Sequence, residues 1–251
     1  MIDVSGVSLT AGSARLLDDV SLRVTPGELV AIAGPNGAGK SSLLSVLAGD
    51  VPATRGAVTL AGRPMRALRP AALARLRAVL PQRVTLAFSF TVAEVVAMGL
   101  YGSRRPAHEE EEILTWAMEV TDVAHLAGRI YPTLSGGEQA RVSLARVLVQ
   151  SAPIVLLDEP TAALDLRHQE QVMCVARERA VAGDAVVVVL HDLNLAAAYA
   201  DRVLVMSGGR LVADGPPDRV LASETLSEVY GCDIDVHRNG TALLVAPRRA
   251  V

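Results

Sequence analysis

The chain has 251 residues, 51% hydrophobic but only 3% aromatic, and its 24 Lys and Arg against 27 Asp and Glu leave a net charge of −3. That length holds one large α/β domain or a core with a smaller inserted unit, and the aliphatic bias suits buried parallel strands. The arginines are scattered without a basic run, which argues against a nucleic-acid partner, since phosphate backbones need a concentrated Lys/Arg face.

The first residues, MIDVSGVSLT, carry neither a charged n-region nor an apolar h-region, so no signal peptide is expected. Short alternating segments follow as far as about Pro64 (IDVSGVSL, DVSLRVTPGE, RGAVTLAGRP) and predict a small antiparallel sheet beside the core. Glu28–Gly34, ELVAIAG, reads as a buried strand ending in glycine. The stretch from about Val84 to Gln150 reads as a mostly helical insertion. Glu109–Val120 and GEQARVSLARVLVQ space their apolar residues near 3.6, and the acidic start at Glu109–Glu112 suits a helix N-terminus. Two more buried strands follow, Ala152–Pro160 ending in Asp158 and Glu159, and Ala185–Asp192 ending in His191 and Asp192. The tail from Asp233 has strand character in DIDVHR and TALLVAP. The expected organisation is a single domain over 1–251, with a core and β unit over about 1–83 and 151–251 and a helical unit over 84–150. Cys174 and Cys232 are in no metal spacing and read as free thiols of a reducing compartment. The longest apolar run, Ala185–Leu190, is far short of the roughly 20 residues of a membrane-spanning helix. A cytoplasmic place, or a membrane face reached through a partner, is therefore expected.

Near-continuous apolar strands alternating with helices imply a parallel sheet, whose ligands collect at the carboxyl ends of the strands. The three strands end in the chemistry such a site needs. Gly34-Pro35-Asn36-Gly37-Ala38-Gly39-Lys40-Ser41, followed by Ser42, fits G-x-x-x-x-G-K-[ST] between a strand and a helix. The glycines let several N–H groups converge on phosphate oxygens, and the helix that follows adds its partial positive charge. Lys40, the one lysine of the sequence, would neutralise the β- and γ-phosphates, and Ser41 would offer its hydroxyl to Mg²⁺. Two carboxylates at the end of a buried strand are costly unless partnered. Asp158 would hold Mg²⁺, and Glu159 would polarise the attacking water. His191, at the end of the next strand, would bond the γ-phosphate and align that water. The amide oxygen of Gln82, in VLPQ, would reach the metal or the water.

Leu134-Ser135-Gly136-Gly137-Glu138-Gln139 resembles the signature motif of ATP-binding cassette (ABC) proteins, and the resemblance runs from about Ile2 to at least Pro217. It implies a P-loop NTPase core with an N-terminal antiparallel β subdomain and an inserted helical subdomain. It also implies an ATP-hydrolysing homodimer in which Ser135, Gly136, Gly137 and Glu138 of one subunit close on the ATP held by the other. Asp165, in Ala163-Leu164-Asp165, matches the loop crossing that interface, His191 the switch histidine and Gln82 the coupling glutamine. The chain departs from the family where many members stack an aromatic ring on adenine. Ala11 stands there, and the Arg15 guanidinium is the candidate replacement, which leaves GTP open beside ATP. The family implies transmembrane permease subunits, docked against Arg83–Val92 with both phenylalanines, Phe88 and Phe90, and indirectly a substrate-binding protein. LDLRHQ, HDLNLAAAYADR and VYGCDIDV resemble the subfamily importing iron-siderophores, haem and cobalamin, and LLSVLAGD, LARLRAVLPQ and FSFTVAEVVAMG are most similar to haem importers. A soluble ABC ATPase of Fe–S assembly type is the rival reading.

Overall fold

Alternation in the first sixty residues builds a sheet with one buried face. In β1 (Ile2–Ala11) and β2 (Ala14–Val24), Ile2, Val4, Leu22 and Val24 point inward while their neighbours are more exposed, the period of two that a half-buried antiparallel sheet requires. The computed structural model describes residues 1–82, 88–240 and 242–249. β3 (Leu29–Ala33) is instead buried at every position. After α1 (Lys40–Ala48), β4 (Arg55–Leu60) pairs with β1, and β5 (Arg63–Pro64) turns back on β4, closing an antiparallel sheet of order β2-β1-β4-β5.

The remainder winds around a second sheet. α2 (Pro70–Leu76) leads into β6 (Arg77–Leu80), and three helices follow: α3 (Val92–Ala97), α4 (Ala107–Val120) and α5 (Gly136–Val149). Then come β7 (Ile154–Asp158), α6 (Leu166–Val181), β8 (Ala185–Val189), α7 (Leu193–Tyr199), β9 (Arg202–Ser207) and β10 (Arg210–Gly215). The sheet order is β10-β9-β3-β8-β7-β6, parallel except at β10. α8 (Pro217–Val220) and α9 (Ser223–Tyr230) lead to a terminal hairpin of β11 (Ile234–Asn239) and β12 (Ala242–Pro247). Asn194 of α7 holds this hairpin by accepting from the Val245 N–H at 2.8 Å and donating to the Val245 carbonyl at 3.3 Å.

The predicted strands at 28–34, 152–160 and 185–192 are β3, β7 and β8, side by side in the sheet. β6 and β9 complete the parallel set, because four residues beginning with Arg77 are too short, and Arg202–Ser207 too little alternating, to declare themselves in sequence. The sheet divides two cores. Leu29, Ala31 and Ala33 face one that includes the helices between β6 and β7, whereas Val30 and Ile32 face another that includes the β1–β2–β4 sheet and α1. Burying each such aliphatic side chain contributes roughly 1.5–3 kcal/mol. Among the described residues no helix is long and apolar enough to cross a membrane.

Candidate nucleotide site

Parallel register fixes the site. Ile32 of β3 and Asp158 of β7 both pair with Val189 of β8, and Leu80 of β6 pairs with Leu157. Gly34, Gln82, Glu159 and His191 each stand two residues beyond one of those paired residues, so the sheet presents them together along its carboxyl edge, next to Asp158.

The loop over 34–39 can follow its path only with glycine. Gly34 has φ 146° and Gly39 φ 100°, and a Cβ would come within 2.2 Å of the Met206 carbonyl oxygen at the first and 2.7 Å of the Leu16 carbonyl oxygen at the second. L side chains rarely adopt either conformation. Lys40 is 5% exposed and folds back over the loop, donating from Nζ to the Gly34 carbonyl at 2.7 Å and the Pro35 carbonyl at 3.0 Å. Burial holds its ammonium below the usual lysine range, opposed by the nearby Glu159 and Asp158 charges. The arrangement is a ring of backbone around an ammonium at the start of a helix, which can take a polyphosphate chain.

Ser41 Oγ donates to Asp158 Oδ1 at 3.3 Å. Burial pushes the Asp158 carboxyl above its usual range, with the Ser41 bond opposing. A hydroxyl beside a desolvated carboxylate is an oxygen pair suited to Mg²⁺, which commonly takes one or two protein oxygens and completes its shell from phosphates and water. Among the described residues no group of three His, Cys, Asp or Glu could hold a metal ion.

Glu159 is held from two sides. Gln82 Nε2 donates to its Oε2 at 2.7 Å, and His191 Nε2 lies 2.5 Å from its Oε1. Its backbone is left-handed, φ 50°, a conformation that costs a non-glycine residue roughly 1–2 kcal/mol. The carboxylate is thereby aimed rather than free. Gln82 and His191, expected near metal and phosphate, thus converge on the carboxylate expected to polarise the water. Asp192 is a helix cap, its Oδ1 accepting from the Asn194 N–H at 2.7 Å.

A second loop stands at the start of α5. Ser135 Oγ accepts from the Glu138 N–H at 3.3 Å, while Glu138 Oε2 accepts from the Ser135 N–H at 2.7 Å, a reciprocal capping box. The Ser135 bonds hold the Glu138 carboxyl below its usual range. Gln139 Nε2 bends back to the Leu134 carbonyl at 3.1 Å. The loop before α6 repeats the device. Asp165 Oδ1 accepts from the His168 N–H at 3.0 Å, and Gln169 Nε2 reaches the Leu164 carbonyl at 3.0 Å. Bonding from His168 holds the Asp165 carboxyl low. The two loops touch, since a Cβ on Gly137 would sit 3.1 Å from the Ala163 carbonyl oxygen. A cavity of about 310 Å³ runs between the sheet edge and α5, lined by Gln82, Asp158 and Glu159 on one side and Gly136, Gln139 and Ser143 on the other.

Arg15 Nη1 bonds Asp18 Oδ1 at 2.9 Å and its side chain is mostly exposed, next in sequence to Leu16, whose carbonyl lies against Gly39. Phe88 is 71% exposed and Phe90 packs on the core, and the two rings meet edge to face with centroids 6.0 Å apart. Residues 83–87 of the expected docking segment lie outside the described residues. Sequence reasoning passed over Tyr230 at the end of α9. Its ring packs against the core, burial pushes its hydroxyl up, and the Gly34 backbone facing it opposes that shift. Nothing in the local sequence places a residue so far along the chain against Gly34.

A parallel sheet with a glycine–lysine loop, paired carboxylates and a second capped loop on an inserted helix defines an ATP-hydrolysing cassette. The chain belongs to the ABC transporter family, whose profile matches residues 17–162. It is 55% identical over 249 residues to the hemin import ATP-binding protein HmuV of Streptomyces coelicolor, covering 98% of this chain and 89% of that protein. It is 51% identical over 247 residues to the HmuV of Thermobifida fusca, covering 97% and 87%. Among solved structures it resembles a dimeric ATP-binding cassette in a post-hydrolysis state bound to ADP and Pi, with TM-score 0.79, 27% identity, and 86% of this chain and 99% of that one covered. It also resembles an ATP-bound bacterial Atm1-family ABC exporter, with TM-score 0.79, 28% identity, and 92% and 41% covered.

Proposed function

We propose that the chain is the ATPase of a haem importer, acting as a homodimer on the cytoplasmic face of the cell membrane through transmembrane permease subunits that a substrate-binding protein supplies. The observation that carries the chemistry is the Glu159 carboxylate, held between Gln82 and His191 beside the Ser41–Asp158 pair. The relatives named for hemin import support the cargo.

In this reading Gly34, Pro35, Asn36, Gly37, Ala38, Gly39, Lys40, Ser41 and Ser42 hold the triphosphate. Ser41, Asp158 and Gln82 would hold Mg²⁺, which would supply neutralisation of the phosphate charge. Glu159 accepts the proton of the attacking water. His191 would bond the γ-phosphate and align that water, and the Gln82 amide oxygen would reach the metal or the water. Ser135, Gly136, Gly137 and Glu138 cover the nucleotide of the partner subunit, and Asp165 crosses the interface. Arg15 stacks on the base.

The permease docks between core and insertion. A groove of about 770 Å³ supports this, lined by Pro70 and Ala74 of α2 on one side and Tyr101, Arg104 and Gln150 on the other, with Tyr101 96% exposed. Exposed Phe88 adds an apolar contact.

The test is a pull-down of the chain from its native membrane, then ATPase assay of the complex with and without haem-loaded binding protein. A multi-spanning permease with haem-stimulated hydrolysis is expected. A permease without haem stimulation redirects the cargo to siderophores or cobalamin, and absence of any membrane partner overturns the transporter reading in favour of a soluble ABC ATPase.

A further inference from the structure

The first turn of α6 reaches further than its own cap. Asp165 Oδ1 lies 2.7 Å from His168 Nδ1 and also accepts the His168 N–H. A carboxylate oxygen can only accept, so Nδ1 carries a hydrogen, and a bond from Nε2 to a second carboxylate requires the second ring hydrogen of the imidazolium. The opposite ring nitrogen, Nε2, is buried and lies 3.5 Å from Asp122 Oδ2, yet among the described residues it has no hydrogen-bond partner. Buried polar atoms left in that condition are rare and call for an explanation.

Asp122 belongs to the turn that closes α4, and that turn is stiff. Thr121 Oγ1 donates to the Ala117 carbonyl at 2.8 Å, the Asp122 N–H donates to the Glu119 carbonyl at 3.0 Å, and Asp122 itself is left-handed at φ 54°. From α6, Gln171 Nε2 donates to the Val120 carbonyl at 2.8 Å. Arg167 Nη2 and His125 Nδ1 each stand 3.9 Å from the Asp122 carboxylate. The imidazole therefore faces carboxylates on two parts of the chain: the loop before α6, and the helical insertion between β6 and β7. One contact is made and the other is almost made.

We propose that His168 is a positioning residue that gears the helical insertion to the loop carrying Asp165. Nδ1 stays on Asp165, and a movement of about 0.5 Å that brings α4 toward α6 and straightens the contact lets the doubly protonated ring donate from Nε2 to Asp122. The loop then follows the insertion, because one rigid ring spans both. That the loop meets a second subunit rests on the dimer reading above; the link itself lies within one chain.

The test uses the full chain with His168→Asn, Asp122→Gly and the double variant. Asn at 168 keeps an amide within reach of Asp165 and loses the reach to Asp122. Gly at 122 removes the carboxylate and accepts the left-handed backbone. Two readouts apply: hydrogen exchange across the α4 turn without nucleotide, and kcat and KM for Mg-ATP. His168→Asn is expected to speed exchange at that turn and to lower kcat about 3- to 10-fold with KM unchanged, as an interaction felt after binding does. Asp122→Gly matches it, and the double variant is no worse than either single, since both remove the same link. Parental exchange at the turn in His168→Asn overturns the link, and a double variant whose kcat loss is the product of the single losses overturns the gearing. A parental chain that hydrolyses no ATP defeats the functional reading instead, and the exchange measurement still decides the link.

Discussion

Replacing Glu159 by Gln separates the chemistry of the site from its architecture. The carboxylate accepts Gln82 Nε2 at 2.7 Å and faces His191 Nε2 at 2.5 Å. A glutamine is nearly isosteric, so its amide turns one of these two contacts into donor facing donor. Gln82 can rotate its own amide by half a turn, and His191 can exchange tautomers, so the folding cost is at most about 1 kcal/mol, the net worth of one such bond. The chemical loss is larger. A positioned general base contributes typically about 10²- to 10⁴-fold, or roughly 3–5 kcal/mol of transition-state stabilisation at about 1.4 kcal/mol per decade. Phosphate release at saturating Mg-ATP, melting temperature and affinity for a fluorescent nucleotide measured on one preparation report all three quantities. The expected variant binds nucleotide as the parent does, melts within a few degrees of it, and turns over at least a hundredfold more slowly. Glu159→Gly provides a control. It relieves the left-handed backbone at φ 50°, so it should be about 1 kcal/mol more favourable in backbone terms and equally inactive. A Gln variant hydrolysing within about threefold of the parent would refute the assignment of Glu159 as the base, because no base worth the usual factor would have been lost.

Other outcomes follow from the neighbouring groups. Burial raises the Asp158 carboxyl, so the folded chain binds that proton more readily than the unfolded chain does. The charge therefore costs stability at neutral pH and above, and the cost fades as pH falls through the folded carboxyl's titration. Asp158→Asn should then raise the melting temperature of the nucleotide-free chain at pH 8 by about 2–4 °C per kcal/mol relieved, with a smaller gain at lower pH, while Mg²⁺-dependent hydrolysis is lost; an equal shift at every pH would contradict the buried-charge account. Ser135→Arg puts a long cation on the capped loop at α5. Nucleotide-dependent dimerisation, followed by light scattering with the slow Glu159→Gln background, should disappear while monomer affinity for nucleotide stays within about twofold, a change of roughly 0.4 kcal/mol; a persisting dimer would remove that loop from the interface.

The candidate site was legible in the chain because its motifs are short contiguous runs. The spacing from Gly34 to Ser41, the carboxylates after IVLL and the sequence Leu134–Gln139 each carry their local geometry with them, since a glycine loop before a helix, a buried strand ending in acids and a capping box are decided within about ten residues. The two helices at 107–120 and 136–149 and the alternating N-terminal strands were legible for the same reason, their periods being local. What the sequence left undecided depends on residues far apart in the chain. Gln82 stands level with Glu159 only because β6 lies beside β7 in register. The different exposure of Phe88 and Phe90, two residues apart, is set by the core that Phe90 joins. The contact of Tyr230 with the Gly34 backbone, and the position of the His168 ring between Asp165 and Asp122, likewise exist only after the parallel sheet has ordered its strands and the insertion has packed against α6. Local sequence sets dihedral preference and side-chain period, whereas strand order and the meeting of distant side chains are set by burial of the two cores on either face of one sheet.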